Sequence, residues 1–136
     1  MLIIHKPISI VWSFCVENHV INHPKWDSDI KLEQLDSGPI RVGTVIRRIN
    51  KRYGKTVVGT QTVTGLEKDK SVTFDIVEGP IKCRGGMLFE VLDPDNTKLT
   101  SFFEAPGDSG MDKYKELIEQ MMARSCRNIR SMLEDE

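Results

Sequence analysis

The chain lacks most of the features that assign a protein to a class at a glance. It has no apolar run near the roughly 18 residues of a membrane-spanning helix. Its three cysteines, Cys15, Cys83 and Cys126, are odd in number, widely spaced and form no CxxC pair, so neither a disulfide framework nor a zinc site is indicated. With a formal net charge of −1 it has no general affinity for polyanions. The opening MLIIHKP has neither the basic region nor the long apolar core of a signal peptide. A soluble, unprocessed protein in a reducing cytoplasm is therefore expected. At 136 residues the chain reads as a single domain, 1–136, able to bury about two thirds of its unfolded surface. It carries no repeat, linker or low-complexity segment.

What is present begins at the C-terminal end. Met111, Tyr114, Leu117, Ile118, Met121, Met122, Ser125, Ile129, Met132 and Leu133 recur at helical spacing, with no Gly or Pro between Met111 and Leu133. This predicts one long amphipathic helix over 111–133, starting near Ser109 with Asp112 three residues on. Its stripe needs a partner, and the only large one is the period-two sequence between Lys31 and Ala105. The methionines suit either an irregular core or the wall of a pocket for an apolar ligand.

Upstream, Leu2 to His5 reads as a short strand. Pro7 then opens a short helix with Ile8, Val11, Trp12 and Cys15 inward. A second helical stretch, broken by Asn22, Pro24 and Asp27, carries Val20, Ile21, Trp26 and Ile30 inward. Strands follow at about 30–36, 43–53, 56–66, 71–78, 81–92 and 97–105, separated by short turns such as Tyr53-Gly54-Lys55 and Gly79-Pro80 that imply an antiparallel meander. Gly85-Gly86 inside a strand suggests a bulge or sharp bend. Trp12 and Trp26, each on the apolar face of a short helix, are expected to be buried and structural.

These elements and several local strings resemble a known family. PISIVWSF is similar to the opening of the polyketide cyclase/dehydrase and lipid-transport proteins, within the superfamily that includes START lipid-transfer domains and the birch-pollen allergen fold. HPKWDSDI resembles the tryptophan-bearing second helix of that family, RVGTVIRRI its "vGt" strand, and NTKLTSFFE its last strand. The resemblance covers nearly the whole chain. It implies an α+β helix-grip fold: an antiparallel sheet of about seven strands curled around the C-terminal helix, two short helices between strands 1 and 2, and a cavity between helix and sheet. It also implies a START-like domain that binds or transports a small hydrophobic or amphipathic ligand or lipid. A cyclase/dehydrase-type enzyme is the alternative. No motif in the sequence selects between these.

If Val72, Phe74 and Ile76 face such a cavity, strand parity adds Cys83, Met87, Phe89 and Val91, then Leu99, Ser101, Phe103 and Ala105. Leu117, Met121 and Ser125 would complete the wall. Close packing of these side chains is the competing expectation; a ligand site would span roughly 300–1,000 Å³. Arg47 shares parity with Val45, Ile49 and Tyr53, which would place a guanidinium among apolar groups to anchor a carboxylate or enolate; the opposite register turns Arg47 outward and Ile46 inward. The candidate ligand-binding residues are thus Arg47, Phe74, Met87, Phe89, Phe103, Leu117, Met121 and Ser125.

Other chemistry has less support. His19 and His23 have metal-like spacing, but Pro24 disfavours helical geometry at His23, so a shared helix face and a metal site are not expected. His5 reads as a surface or packing residue. Asp75, Glu90 and Glu104 fall on the outward parity, so no acid/base pair is assigned, and neither a cofactor nor a catalytic residue is named. Between Ile40 and Leu66 there are six basic residues and no acidic one, which leaves the remainder of the chain at −7. Through Arg41, Arg48, Lys51, Arg52 and Lys55 this hairpin offers transient contact with an anionic membrane, or serves as an interaction module. Nucleic acid is disfavoured, because Tyr53 is the only nearby aromatic for stacking.

Overall fold

The computed structural model describes residues 2–52, 54–79, 81–104 and 115–134. Strand β1 (Leu2–Ile4) leads into helix α1 (Ile8–Trp12), capped by the Pro7 carbonyl, which accepts from the Ile10 and Val11 amides at 3.1 Å each. The helix continues through one π-helical turn, Ser13–Glu17, closed by the Asn18 amide donating to the Ser13 carbonyl at 2.9 Å. Helix α2 (His19–Trp26) follows, then β2 (Ile30–Gln34), β3 (Val45–Arg52), β4 (Lys55–Glu67), β5 (Ser71–Glu78), β6 (Ile81–Asp93), β7 (Asn96–Glu104) and the long helix α3 (Lys115–Glu134).

The strands form one seven-stranded sheet in the order β1-β7-β6-β5-β4-β3-β2, and every pairing is antiparallel. Six strands run as a meander, and β1 closes the far side by pairing with β7. The two short helices lie between β1 and β2, and α3 packs on β1, β7 and α2. This is the helix-grip architecture that the period-two run and the terminal stripe predict. At 20 residues, α3 is about 30 Å long. The expected start of that helix, 111–114, and the Ser109 cap lie outside the described residues, as do Tyr53 and Ala105.

The core joins both helical layers to the sheet. Ile4, Val11, Cys15, Leu99 and Ile129 are wholly buried, with Trp12, Val16, Val72, Phe89 and Leu133 around them. Trp12 meets Phe89 edge-on at 5.2 Å between ring centroids. Only the C-terminal half of α3 joins this core, through Cys126, Ile129 and Leu133. The Asn128 side chain ties it to the end of α2 by donating to the Trp26 carbonyl at 3.0 Å.

Four local expectations differ from the structure, each for a physical reason. Gly85 and Gly86 do not form a bulge, since β5 and β6 stay in continuous register across them. Gly86 serves close approach instead: a Cβ there would collide with the Val72 carbonyl and press on the Phe102 ring. The register shifts lie elsewhere, between Val63 and Gly65 and between Val91 and Asp93. Val91, at the edge of the second, is half exposed rather than inward. Ile21 is exposed, on the solvent side of α2, while Trp26 and Ile30 are buried as the sequence predicts. Lastly, α2 runs through Pro24, which forfeits one helical bond only two residues before the helix ends.

Replacing Trp12 with Ala removes a core aromatic and should destabilise the protein by about 3–5 kcal/mol. Urea unfolding of the variant checks this, and an unchanged midpoint would contradict the assignment of Trp12 to the core.

Candidate functional site

Above the core, the N-terminal half of α3 stands off the sheet and leaves a cavity of about 150 Å³. Its apolar wall comes from Phe74, Ile76, Met87 and Phe103 on the sheet and from Ile118, Met121 and Met122 on α3, with Ser125 and Cys83 beside them. Its other end is polar: His19, His23 and Asp27 from the α2 side, and Arg48, Asn50 and Gln61 from β3 and β4. A wider groove of about 440 Å³ lies among Asp75, Val77, Lys82, Arg84 and Glu104, but that rim is charged and exposed, so the space under α3 is the better candidate.

The structure sorts the expected site residues into three groups. Phe74, Met87, Phe103, Met121 and Ser125 line the cavity. Phe89 does not, because its ring is spent against Trp12 in the core below. Leu117 is 40% exposed, because the stripe that faces inward is Ile118, Met121, Met122 and Ser125, and Leu117 lies on its flank. Arg47 is the third case: it points to solvent, and Arg48 is the buried arginine. Strand β3 turns Ile46, Arg48 and Asn50 inward, the opposite parity to the one that would bury Arg47.

That parity builds a polar constellation which the sequence analysis did not assemble. Arg48, Gly59 and Glu78 lie in register on three adjacent strands. Gly59 has no side chain, so Arg48 reaches across it and donates from Nε to Glu78 Oε1 at 3.2 Å. Both partners are buried, Glu78 to 1% exposure. Arg48 also donates from Nη1 to Gln61 Oε1 at 2.6 Å, which fixes the orientation of the Gln61 amide. The amide's Nε2 then donates to His19 Nε2 at 3.0 Å.

The histidine tautomers follow from this chain of bonds. His19 Nδ1 lies 3.0 Å from the Cys15 carbonyl and must carry the ring proton, so its Nε2 is an acceptor. That acceptor also receives the Nδ1 proton of His23 at 3.1 Å. His19 and His23 therefore do share a helix face, contrary to the expectation from Pro24. Their rings lie 4.7 Å apart, and stacking of His23 on Trp26 at 5.2 Å and of His19 on Phe74 at 5.1 Å locks them. Among the described residues no group of three or more His, Cys, Asp or Glu is placed to hold a metal.

Both rings are held neutral. Burial lowers the His19 pKa to about 4, with the Arg48 charge adding to that effect and the bond to the Cys15 carbonyl opposing it. Burial, then the His19 and Arg48 charges, push His23 well below the usual histidine range. Burial raises Asp27, whose Oδ1 accepts from the Asp29 amide at 3.2 Å.

The remaining candidates are peripheral. His5 is exposed, with Nδ1 2.6 Å from Asn96 Oδ1. Asp75, Glu90 and Glu104 are exposed, as parity predicts. In the basic hairpin, Arg48 is buried and Arg41 pairs with Asp36 at 2.6 Å, while Lys51 and Lys55 are exposed and the Arg52 side chain lies outside the described residues.

No protein-family model matches the sequence, and no curated protein matches it. Solved structures do. A START superfamily protein from Mycobacterium smegmatis is 14% identical with a TM-score of 0.75, over 98% of this chain and 94% of that one. The Zhui aromatase/cyclase from Streptomyces sp. R1128 is 20% identical with a TM-score of 0.69, over 98% and 90%. Ara h 8.0201 is 14% identical with a TM-score of 0.76, over 99% and 95%. The chain shares the helix-grip fold of these three proteins. No helix among the described residues is long and apolar enough to cross a membrane.

The neutral histidines make stability depend on pH. The unfolded chain accepts a proton on His19 at about 6.5, and the folded chain resists until about 4. Stability present above 6.5 is therefore lost as the pH falls toward 4, by about 2 kcal/mol at pH 5 from His19 alone. Urea midpoints at pH 7 and pH 5 should differ accordingly, and by less in His19→Gln. A wild-type midpoint that does not move would contradict the buried neutral ring.

Proposed function

We propose that 1–136 is a single ligand-binding domain whose cavity under α3 binds a small hydrophobic or amphipathic molecule. The observation that carries this reading is the division of one cavity into an aromatic and methionine wall and a polar end, the usual make-up of a small-molecule site. The START, aromatase/cyclase and Ara h 8.0201 neighbours support it through the shared fold. The volume limits the class: a cavity of about 150 Å³ accepts a molecule of benzene size without rearrangement, well short of a sterol. Adaptable methionines on α3 allow some enlargement. The three free cysteines favour a reducing, cytoplasmic setting.

A second reading, a cyclase/dehydrase-type enzyme, is favoured by the buried relay from Glu78 through Arg48, Gln61 and His19 to His23. In it, neutral His23 at the cavity wall acts as general base and the Arg48 side stabilises an enolate. The interaction-surface and membrane-contact reading is weakened, because Arg48 is buried and Arg41 is already paired with Asp36, although Arg47, Lys51 and Lys55 are exposed.

A thermal-shift panel of single-ring aromatics, short fatty acids and sterols tests binding. A ligand at about 100 times its dissociation constant should stabilise the fold by about 2.7 kcal/mol. Met121→Trp, which fills the cavity, should abolish that shift and leave the apo protein folded. No shift from any member of the panel would contradict the reading.

A further inference from the structure

At the polar end of the cavity, Asn50 is the group whose bonding is incomplete. It is wholly buried on β3, two residues beyond Arg48 on the same face, paired across the sheet with Ile30 and Val57. Neither its Oδ1 nor its Nδ2 has a hydrogen-bond partner. Its neighbours on that wall are satisfied: Gln61 bonds at both ends, and His19 bonds through both ring nitrogens. A buried primary amide with both functions unmet is costly and rare in a native protein, so an Asn kept there asks for an explanation.

The charge around it narrows that explanation. Among the described residues the charged groups lining the cavity are Arg48 and Asp27. Glu78 already neutralises Arg48 at 3.2 Å, and both histidines are uncharged at neutral pH. No uncompensated cation waits for a carboxylate, and the Asp27 carboxylate would repel one. A single planar group that accepts from Nδ2 and donates to Oδ1 satisfies Asn50 in one contact, and a cis-amide edge is such a group.

We propose that Asn50 is a ligand-reading residue, and that the cavity takes a neutral, single-ring molecule bearing a carboxamide or lactam edge that pairs with the Asn50 amide. This rests on the reading of the cavity as a ligand site and names the chemistry that it selects. The ring lies against Phe74, Phe103 and Met121. The amide edge reaches Asn50 by displacing a side chain that covers it. A neutral head also accounts for the arginine, which is committed to Glu78 and Gln61 and braces the wall.

The test is calorimetric titration of the full chain at pH 7 with three probes of similar shape: benzamide, benzoate and toluene. Benzamide should bind about tenfold or more tightly than either of the others, the increment expected of a well-formed amide pair. Asn50→Leu should remove that preference and raise the melting temperature of the apo protein, because two unpartnered polar atoms are gone. Should that variant not fold, Asn50→Asp should instead favour benzamidine over benzamide. Toluene binding as tightly as benzamide to the wild type, or benzoate binding tightest, would overturn the assignment of Asn50 while keeping the cavity as a ligand site. Failure of all three probes to bind would overturn both.

Discussion

The site depends on one interaction, the buried ion pair between Arg48 and Glu78. The two residues belong to strands separated by β4, and adjacent strands lie about 4.8 Å apart. They meet because the residue between them is Gly59, whose missing side chain leaves the inner surface of the sheet open, and where a Cβ would also collide with the Val77 carbonyl. Charges this deeply buried are tolerated only as a pair with further hydrogen bonds. Arg48 meets that condition by also bonding Gln61, and the order so imposed propagates to His19 and His23.

The terminal helix divides the interior. Its C-terminal half, carrying Cys126, Ile129 and Leu133, is anchored against β1, β7 and the core below the first helix. Its N-terminal half carries Ile118, Met121 and Met122 over open space. Core packing and the open space thus reside in different turns of one helix. A change at Met121 is consequently expected to alter the cavity without weakening the core, whereas Ile129 and Leu133 have no such freedom.

Much of the fold was legible in the sequence, because the signals were local and repeated. The strand limits at 71–78, 81–92 and 97–105 depended on period two and on Gly-Pro or Asp-Pro turns, and β5, β6 and β7 lie there. The site was legible only where a strand's parity was strongly marked by apolar residues, as at Phe74, Met87 and Phe103. Strand β3 reads VIRRINKR, in which both faces carry cations and aliphatics, so Arg47 and Arg48 were exchangeable on pattern alone. The signal for the inner one was Glu78: it continues the parity of Val72, Phe74 and Ile76, and a buried carboxylate requires a cation in reach. His19 and His23 were missed because a proline rule outweighed i, i+4 spacing, and the contacts that hold His19 in place, the stacking on Phe74 and the bond from Gln61, are tertiary.

The ion pair across Gly59 is the central claim, and a double-mutant cycle on Arg48→Met and Glu78→Leu, followed by urea unfolding, tests it most directly. Each single change leaves a buried charge alone and should cost about 3–5 kcal/mol, while the double variant, with both charges removed, should be at least as stable as either single one. Single effects that add to within about 0.5 kcal/mol in the double variant would contradict the pairing on which this account of the site is built.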